Sequence, residues 1–343
     1  MSSSDIKKGK IGTGRPTLKT IAKLSGLAVP TVSRALHDAP DIGSSTKEKV
    51  RRIAQEIGYR PDRAGVRLRT GKTNVLALIL STEHDMMNHT ARLIASIAAG
   101  TRDTPYNMIV TPFFPDQDPM DPVRHIIETG SADGIILNQT LPLDPRIEYL
   151  MKIGFPFATH GRTNWSDQHP FYDFDNKVFG KLSIQKLAWR GRSHIAMLAP
   201  RPDQYYAIGM IEGATAEAAR LGVEFTVLDN ATTDDSPQEV TQAMEQRLDD
   251  LPKLDGLISG ATNAAMALVT AVENKGRHIG QDIDLITKEA LPFLHRFRRD
   301  ILAVSEDVTK AGAFLSTALM QAIDHPDKPP MQFLEVPTEK DVY

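Results

Sequence analysis

Apolar positions repeat with a helical period near the start of the chain. Leu18, Ile21 and Ala22 line one face of a short amphipathic helix, which Gly26 stops. Val32, Ala35 and Leu36 then face back onto it from a second short helix. Ala22 is small where the two must approach, and Gly26 permits the tight turn between them. A third helix is predicted from Thr46 to Ile57, with Val50, Ile53, Ala54 and Ile57 on one face and Gly58 ending it. The pattern is that of a helix-turn-helix whose three-helix core is too small to bury much by itself.

From Asn74 onward, short apolar runs alternate with helical patterns, which predicts βαβ units around parallel sheets, an α/β architecture. Strands are expected at Val75 to Leu80, Met108 to Thr111, Gly134 to Asn138 and Pro156 to His160. Helices fit between and after them at His89 to Arg102, Asp121 to Glu128 and Asp144 to Lys152. A second series begins near Tyr172, with strands at Ile195 to Leu198, Phe225 to Leu228, Gly256 to Ser259 and Asp284 to Thr287. Its helices are expected at Asn176 to Trp189, Tyr206 to Arg220, Pro237 to Leu248 and Asn263 to Asn274. Two α/β lobes of similar size follow from this count.

Charge sharpens the division. Residues 1–72 hold 16 Lys+Arg against 6 Asp+Glu, whereas residues 73–343 hold 24 against 37, so a basic head precedes an acidic body although the net charge is only −3. Such a head suits contact with a polyanion, most often nucleic acid. At 343 residues the chain exceeds what one hydrophobic core supports. The absence of cysteine removes disulfides, thiolate zinc sites and cysteine nucleophiles, and suits a reducing cytosol. With a polar start and no run of about 18 apolar residues, a soluble, cytoplasmic protein with no membrane partner is expected.

In a helix-turn-helix the second helix enters the major groove and its N-terminal side chains reach base edges. Those side chains are Val29, Pro30, Thr31, Ser33 and Arg34. Arg34 alone among them can contact guanine bidentately, and Val29 offers apolar contact, for instance to a thymine methyl. Pro30 is tolerable because the first N–H groups of a helix lack intrahelical partners.

The segments RPTLKTIAKLSGLAVPTVSRALHDAP and TKEKVRRIAQEIGYRPDRAGVRLR resemble the headpiece of the LacI/GalR family of bacterial repressors, with the TVSR segment, the GYRP segment and the following basic helix at the family's spacing. The resemblance implies DNA contacts from Thr17, Leu18, Val29, Pro30, Ser33, Arg34, His37, Thr46 and Tyr59. Ala28 departs from a capping serine and Gly43 from a phosphate-contacting hydroxyl residue. Losing a side-chain cap typically costs roughly 1 kcal/mol. Asp62 to Arg69 resembles the family's hinge helix, with Leu68 as the wedge driven between base pairs. Arg63, Arg67 and Arg69 can neutralise flanking phosphates. Gly65 stands where the family tends to have alanine, costing roughly 0.5 to 1 kcal/mol of helix.

Downstream, the resemblance implies a two-lobed periplasmic-binding-protein type I fold, with the chain crossing between lobes near Phe174 to Asn176 and near Ile301 to Glu306. The expected organisation is a basic tail over 1–16, a DNA-binding domain over 17–60, a hinge over 61–72 and an effector-binding, dimerising domain over 73–343. Its first lobe is expected to span about 73–174 plus 305–325, and its second about 175–302 plus 328–343.

Ligands of open α/β sheets bind outside the carboxyl ends of the strands, so an effector belongs in the cleft between lobes. Residues ending or following strands there are His84, Asn138, His160, Arg162, Tyr206, Asn263, Lys288 and Glu289. Asn138 matches a family ligand position, and its amide can donate to and accept from hydroxyls. Arg162 could hold hydroxyls or a carboxylate in its planar fork. Met210 and Glu289 replace the arginine and aspartate of many members, with Lys288 beside Glu289 as a candidate substitute pair.

The expected function is repression of carbohydrate-utilisation genes by a homodimer on a near-palindromic double-stranded operator, its affinity changed by a small effector, a sugar. Two other classes stand beside it: a DNA-binding protein that has lost ligand response, and a sugar-binding enzyme on an α/β fold. The enzyme motifs are missing, since there is no GxxxxGK[ST], GxSxG or HExxH, and the one G-x-G lies in the basic tail at Gly12 to Gly14. The ten histidines are scattered, a lone one such as His278 reading as a surface residue, and neither cofactor nor metal is expected. Without a heptad-bearing tail before Tyr343, a tetramer is not expected.

Overall fold

The computed structural model describes residues 16–59, 67, 71–82, 89–114, 116–290 and 294–343. Asp62, Gly65, Leu68, Arg69 and His84 lie outside them. The chain forms two compact units, residues 1–73 and 74–343.

In the first unit, α1 (Leu18–Ser25), α2 (Val29–Leu36) and α3 (Ser44–Glu56) close around Ile21, Val32, Ala35, Val50, Ile53 and Ala54. Thr17 and Thr20 cap α1 reciprocally: the Thr17 hydroxyl accepts from Thr20 N at 3.4 Å, and Thr17 N donates to Thr20 Oγ1 at 3.1 Å. Gly26 ends α1 at φ 70°, a left-handed conformation that glycine adopts without penalty. Lys49 Nζ donates to Ser25 O at 2.9 Å and ties α3 to that end. Neither Ala28 before α2 nor Gly43 before α3 supplies a side-chain cap, while Pro30 sits in the first turn of α2. The third helix starts two residues earlier than its apolar face predicts, because Ser44 and Ser45 join the solvent side.

The second unit holds two fully parallel sheets. The first contains β1 (Val75–Ser81), β2 (Asn107–Phe113), β3 (Gly134–Leu137), β4 (Phe157–His160), β5 (Phe171–Phe174) and β11 (Gln332–Glu335), in spatial order β11-β5-β4-β3-β1-β2. The second contains β6 (His194–Leu198), β7 (Glu224–Val227), β8 (Gly256–Ser259), β9 (Asp284–Glu289) and β10 (Leu302–Ser305), in order β10-β9-β8-β6-β7. Central strands such as β1, VLALILS, are buried along nearly their whole length, which is why they read as continuous apolar runs rather than alternating ones.

Helices cover the sheets. In the first lobe these are α4 (Ala91–Gly100), α5 (Asp121–Thr129), α6 (Pro145–Ile153) and α12 (Val308–Asp324). In the second they are α7 (Asn176–Trp189), α8 (Tyr205–Leu221), α9 (Pro237–Asp250), α10 (Thr262–Asn274) and the short α11 (Leu294–Phe297). Glycine sets how closely α7 and α8 approach, since a Cβ on Gly213 would lie 1.9 Å from Lys177 O and one on Gly180 2.1 Å from Met210 O. Met210 itself is fully buried in the second lobe's core.

The chain passes between lobes three times. Asp175 links β5 to α7, Glu306 and Asp307 link β10 to α12, and the residues after β11 return to the second lobe, where Tyr343 N and O pair with Ala303 O and N at 3.0 and 2.9 Å. Glu335 joins all three passages. Its carbonyl accepts from Asp175 N at 2.7 Å and its Oε1 from Asp307 N at 3.1 Å, while Oε2 accepts from the Tyr172 hydroxyl at 2.6 Å.

This return corrects the expected assignment of 328–343 to the second lobe. Residues 332–335 pair in register with 171–174, and Phe333 stacks on Tyr172 at 5.2 Å, so β11 belongs to the first sheet and only the final residues cross back.

Candidate functional site

Two surfaces can carry function. On the first unit, α2 presents the side chains that in a helix-turn-helix face DNA. Arg34, Pro30, His37 and Thr17 are exposed, and Leu18, Val29, Thr31, Ser33, Thr46 and Tyr59 are partly so. Leu18 and Tyr59 also pack against the three-helix core. Arg34 is paired with Asp41. Arg51 and Lys47 approach the neighbouring Asp38 to 2.5 and 3.3 Å, which holds its carboxyl below the usual range.

On the second unit, a cleft of about 110 Å³ opens where the carboxyl ends of both sheets face each other. β3 delivers Asn138 and Gln139, β4 ends at His160, and β5 carries Asp173. From the other lobe, Asn176 opens α7, Tyr206 sits in the first turn of α8, and β9 carries Lys288. The lobes touch here, with Tyr205 N donating to Thr140 O at 2.9 Å.

The loop after β3 is braced by a buried pair. Arg146 donates to Asp144 at 2.7 Å and to the carbonyls of Asn138 and Gln139 at 3.3 and 3.0 Å, while Gln139 adopts φ 49°. So held, Asn138 Oδ1 is buried with no hydrogen-bond partner among the described residues. A buried amide oxygen left this way has a desolvation cost that a ligand hydroxyl would relieve.

Glu306 is the charged centre of the cleft. Lys288 Nζ lies 3.1 Å from its Oε2, and His89 Nε2 and His160 Nε2 lie 3.4 and 3.9 Å from its Oε1. Burial opposes ionisation, yet Lys288 and then His89 hold the Glu306 carboxyl well below its ordinary range. Lys288 also donates to Asn176 Oδ1 at 3.2 Å and lies 5.3 and 5.5 Å from the ring centres of Phe174 and Tyr206. Burial pushes His160 down to about 3, with His89 adding to the effect, so its imidazole is neutral. Burial likewise pushes Asp173 up to about 6, opposed by Arg162.

The structure thus brings together Asn138, His160, Tyr206 and Lys288, but not Arg162, Asn263 and Glu289, which do not line the cleft. Arg162 Nε donates to Asp173 Oδ2 at 2.7 Å, so its fork is engaged by the protein itself. Lys288 and Glu289 do not form a pair. Successive strand side chains point to opposite faces, and Glu289 turns away to accept from Leu294 N at 2.7 Å and the Tyr343 hydroxyl at 3.1 Å.

Sequence reasoning missed His89, Asp173, Asn176 and Glu306. The signal was present for three of them, since Asp173 and Asn176 flank one lobe crossing and Glu306 closes another. Helical periodicity placed His89 at a helix start, and it lies just before α4.

A helix-turn-helix unit followed by a two-lobed, periplasmic-binding-protein-like body defines a DNA-binding transcription regulator. A family model described as bacterial regulatory proteins, lacI family, matches residues 17–62, and one described as a periplasmic binding protein-like domain matches residues 184–341. The chain is 28% identical over 324 residues to the transcriptional regulator AglR of Rhizobium meliloti (strain 1021), covering 91% of this chain and 90% of the relative. It is 33% identical over 199 residues to RafR of Escherichia coli, covering 57% and 59%. In fold it is similar to a lac repressor dimer bound to operator and the anti-inducer ONPF, at TM-score 0.81 and 17% identity over 95% of this chain and 97% of that one. It is similar also to a CelR–cellobiose complex, at TM-score 0.70 and 20% identity over 96% and 98%. The chain is a member of the LacI/GalR family of bacterial transcriptional regulators. Among the described residues no helix is long and apolar enough to cross a membrane.

Proposed function

We propose that the protein represses carbohydrate-utilisation genes by binding a near-palindromic operator as a homodimer, and that a sugar bound between the lobes changes its operator affinity. The observation that carries this reading is the buried, unpartnered Asn138 Oδ1 set at the carboxyl ends of two parallel sheets, in a chain that begins with a helix-turn-helix. Asn138 supplies an amide for hydroxyl groups and Tyr206 supplies a ring face.

On the DNA side, Arg34 reads a guanine while Val29, Pro30, Thr31 and Ser33 fit the groove around it. Thr17, Leu18, His37, Thr46 and Tyr59 add further DNA contacts, and residues 61–72 act as the hinge at the minor groove. The CelR relative whose solved complex contains cellobiose supports a glycosidic ligand. At about 110 Å³ the cleft is smaller than the roughly 300 Å³ at which ligand pockets usually begin, so a sugar enters when the lobes part. The sugar acts by binding one lobe arrangement better than the other.

The test is operator binding by fluorescence anisotropy, on fragments selected from the organism's own genome, with mono- and disaccharides including cellobiose, sucrose and maltose. A selected inverted repeat released by one of these sugars is expected. Binding to a selected operator that no sugar changes would leave a ligand-independent DNA-binding protein, and no selective binding would remove the regulator reading.

A further inference from the structure

The ten histidines look scattered along the sequence, but the fold brings two of them to one carboxylate. His89 precedes α4, His160 ends β4, and Glu306 lies on the crossing after β10. One ligand atom from each falls within 4.8 Å of the other two. We propose that His89 Nε2, His160 Nε2 and Glu306 Oε1 form a divalent transition-metal site of the zinc class on the wall of the cleft, a role beyond operator and sugar binding that does not rest on either.

Three observations converge. The contacts of 3.4 and 3.9 Å from the imidazoles to Glu306 Oε1 are longer than an ordinary charge-assisted hydrogen bond of about 2.7–2.9 Å. The His89 contact matches the ligand separation of roughly 3.3–3.5 Å set by a tetrahedral ion with bonds of about 2.0–2.1 Å, and the His160 contact must shorten by about half an ångström to reach it. His160 Nε2 is buried and has no hydrogen-bond partner among the described residues, although Glu306 Oε1 lies 3.9 Å away. Glu306 divides its labour, since Oε2 is held by Lys288 and Oε1 is left to the imidazoles.

Lys288 is in turn fixed by Asn176 at 3.2 Å, and such a hydrogen bond to a ligating carboxylate orients it without occupying its metal-facing oxygen. The donor set chooses the ion. Two imidazoles and one carboxylate suit zinc, cobalt or nickel, whereas magnesium and calcium require oxygen donors. The neighbouring ammonium group repels a dication, so affinity in the micromolar range is expected rather than the tighter binding of structural zinc sites. Three protein ligands leave a coordination position for water or a ligand oxygen.

The full-length protein, treated with chelator and dialysed, is titrated with cobalt chloride while its visible absorption is recorded. The expected result is one cobalt ion per chain with the intense bands of a four- or five-coordinate ion, erased by stoichiometric zinc chloride and unaffected by magnesium chloride. His89→Ala, a partly exposed position whose loss leaves the core intact, is expected to weaken binding at least about tenfold. His278→Ala, on an exposed turn, should leave it unchanged. Only the weak spectrum of hydrated cobalt, or full binding by the His89→Ala protein with unaltered circular dichroism, would overturn the proposal. Operator binding by the same metal-free sample reports separately on the regulator reading.

Discussion

The guanidinium of Arg34, the side chain proposed to read a base, is engaged by the carboxylate of Asp41 in the loop between α2 and α3. Both groups are about half exposed, so the pair is weak and must break when Arg34 meets DNA. Arg34→Ala should therefore weaken operator binding by about 1–3 kcal/mol while binding to random DNA falls much less. Asp41→Asn should tighten operator binding, by no more than about 1 kcal/mol. Anisotropy titrations on operator and scrambled duplexes at fixed salt measure both, and equal losses on the two duplexes would remove Arg34 from base recognition.

In the cleft, Asn138→Ala removes the unpartnered amide oxygen without touching the Asp144–Arg146 brace, which holds only the Asn138 carbonyl. The sugar concentration needed for half-maximal operator release should rise about tenfold or more, the scale of one lost hydrogen bond in a buried site. Operator affinity without sugar should stay within about twofold of the parent, the difference of a few tenths of a kcal/mol usual away from the site changed.

Lys288 and Glu306 are a buried pair with side chains 13% and 3% exposed. Removing one partner strands the other charge. Lys288→Met should cost about 3–5 kcal/mol in urea unfolding, and adding Glu306→Gln to it should recover a large part. Equal destabilisation by the single and double substitutions would mean that the pair is not coupled.

His169 gives a pH dependence with a definite sign. Its Nδ1 donates to Pro170 O and its Nε2 faces the Thr163 hydroxyl, both at 3.1 Å, and burial lowers its pKa below the ordinary histidine value. The folded protein keeps this ring neutral where the unfolded chain takes up a proton, so stability falls as pH drops below about 6.5. His169→Gln should fall less steeply than the parent between pH 7 and 5 when melting temperatures are compared in chelator. Parallel curves would exclude His169 as a source of the decline.

Gly213→Ala drives a methyl group against the Lys177 carbonyl, where backbone on both sides leaves little room to yield. A loss of about 1–3 kcal/mol or more is expected in chemical denaturation. Gly191→Ala, at a turn with no atom within 4 Å of the added carbon, tests left-handed backbone strain alone, since its φ is 85°.

Much of the fold was legible because long apolar runs such as VLALILS and well-capped helices carry their own signals. The elements that escaped include the long helix α12, Val308–Asp324, and strand β10, which lie beyond the last predicted strand, and two short, mixed strands. β5 is FYDF, in which Asp173 interrupts the apolar run, and β11 is QFLE, which by itself resembles a loop. Both become strands through their mutual pairing, a long-range relation that no local window contains. The cleft was half legible for the same reason. Asn138, His160 and Lys288 stand at strand ends that periodicity locates, whereas His89 and Glu306 lie 217 positions apart and meet only through the fold. Glu289 misled because adjacency in sequence means opposite faces in a strand.

Because Glu335 fastens all three chain passages within a few ångströms, the body is built like jaws with one fulcrum. A molecule that parts or closes the halves would then do so by changing the angle about that point. Displacement is then smallest at the knot and grows with distance from it, so the far ends of the lobes travel most for the least rearrangement of the backbone.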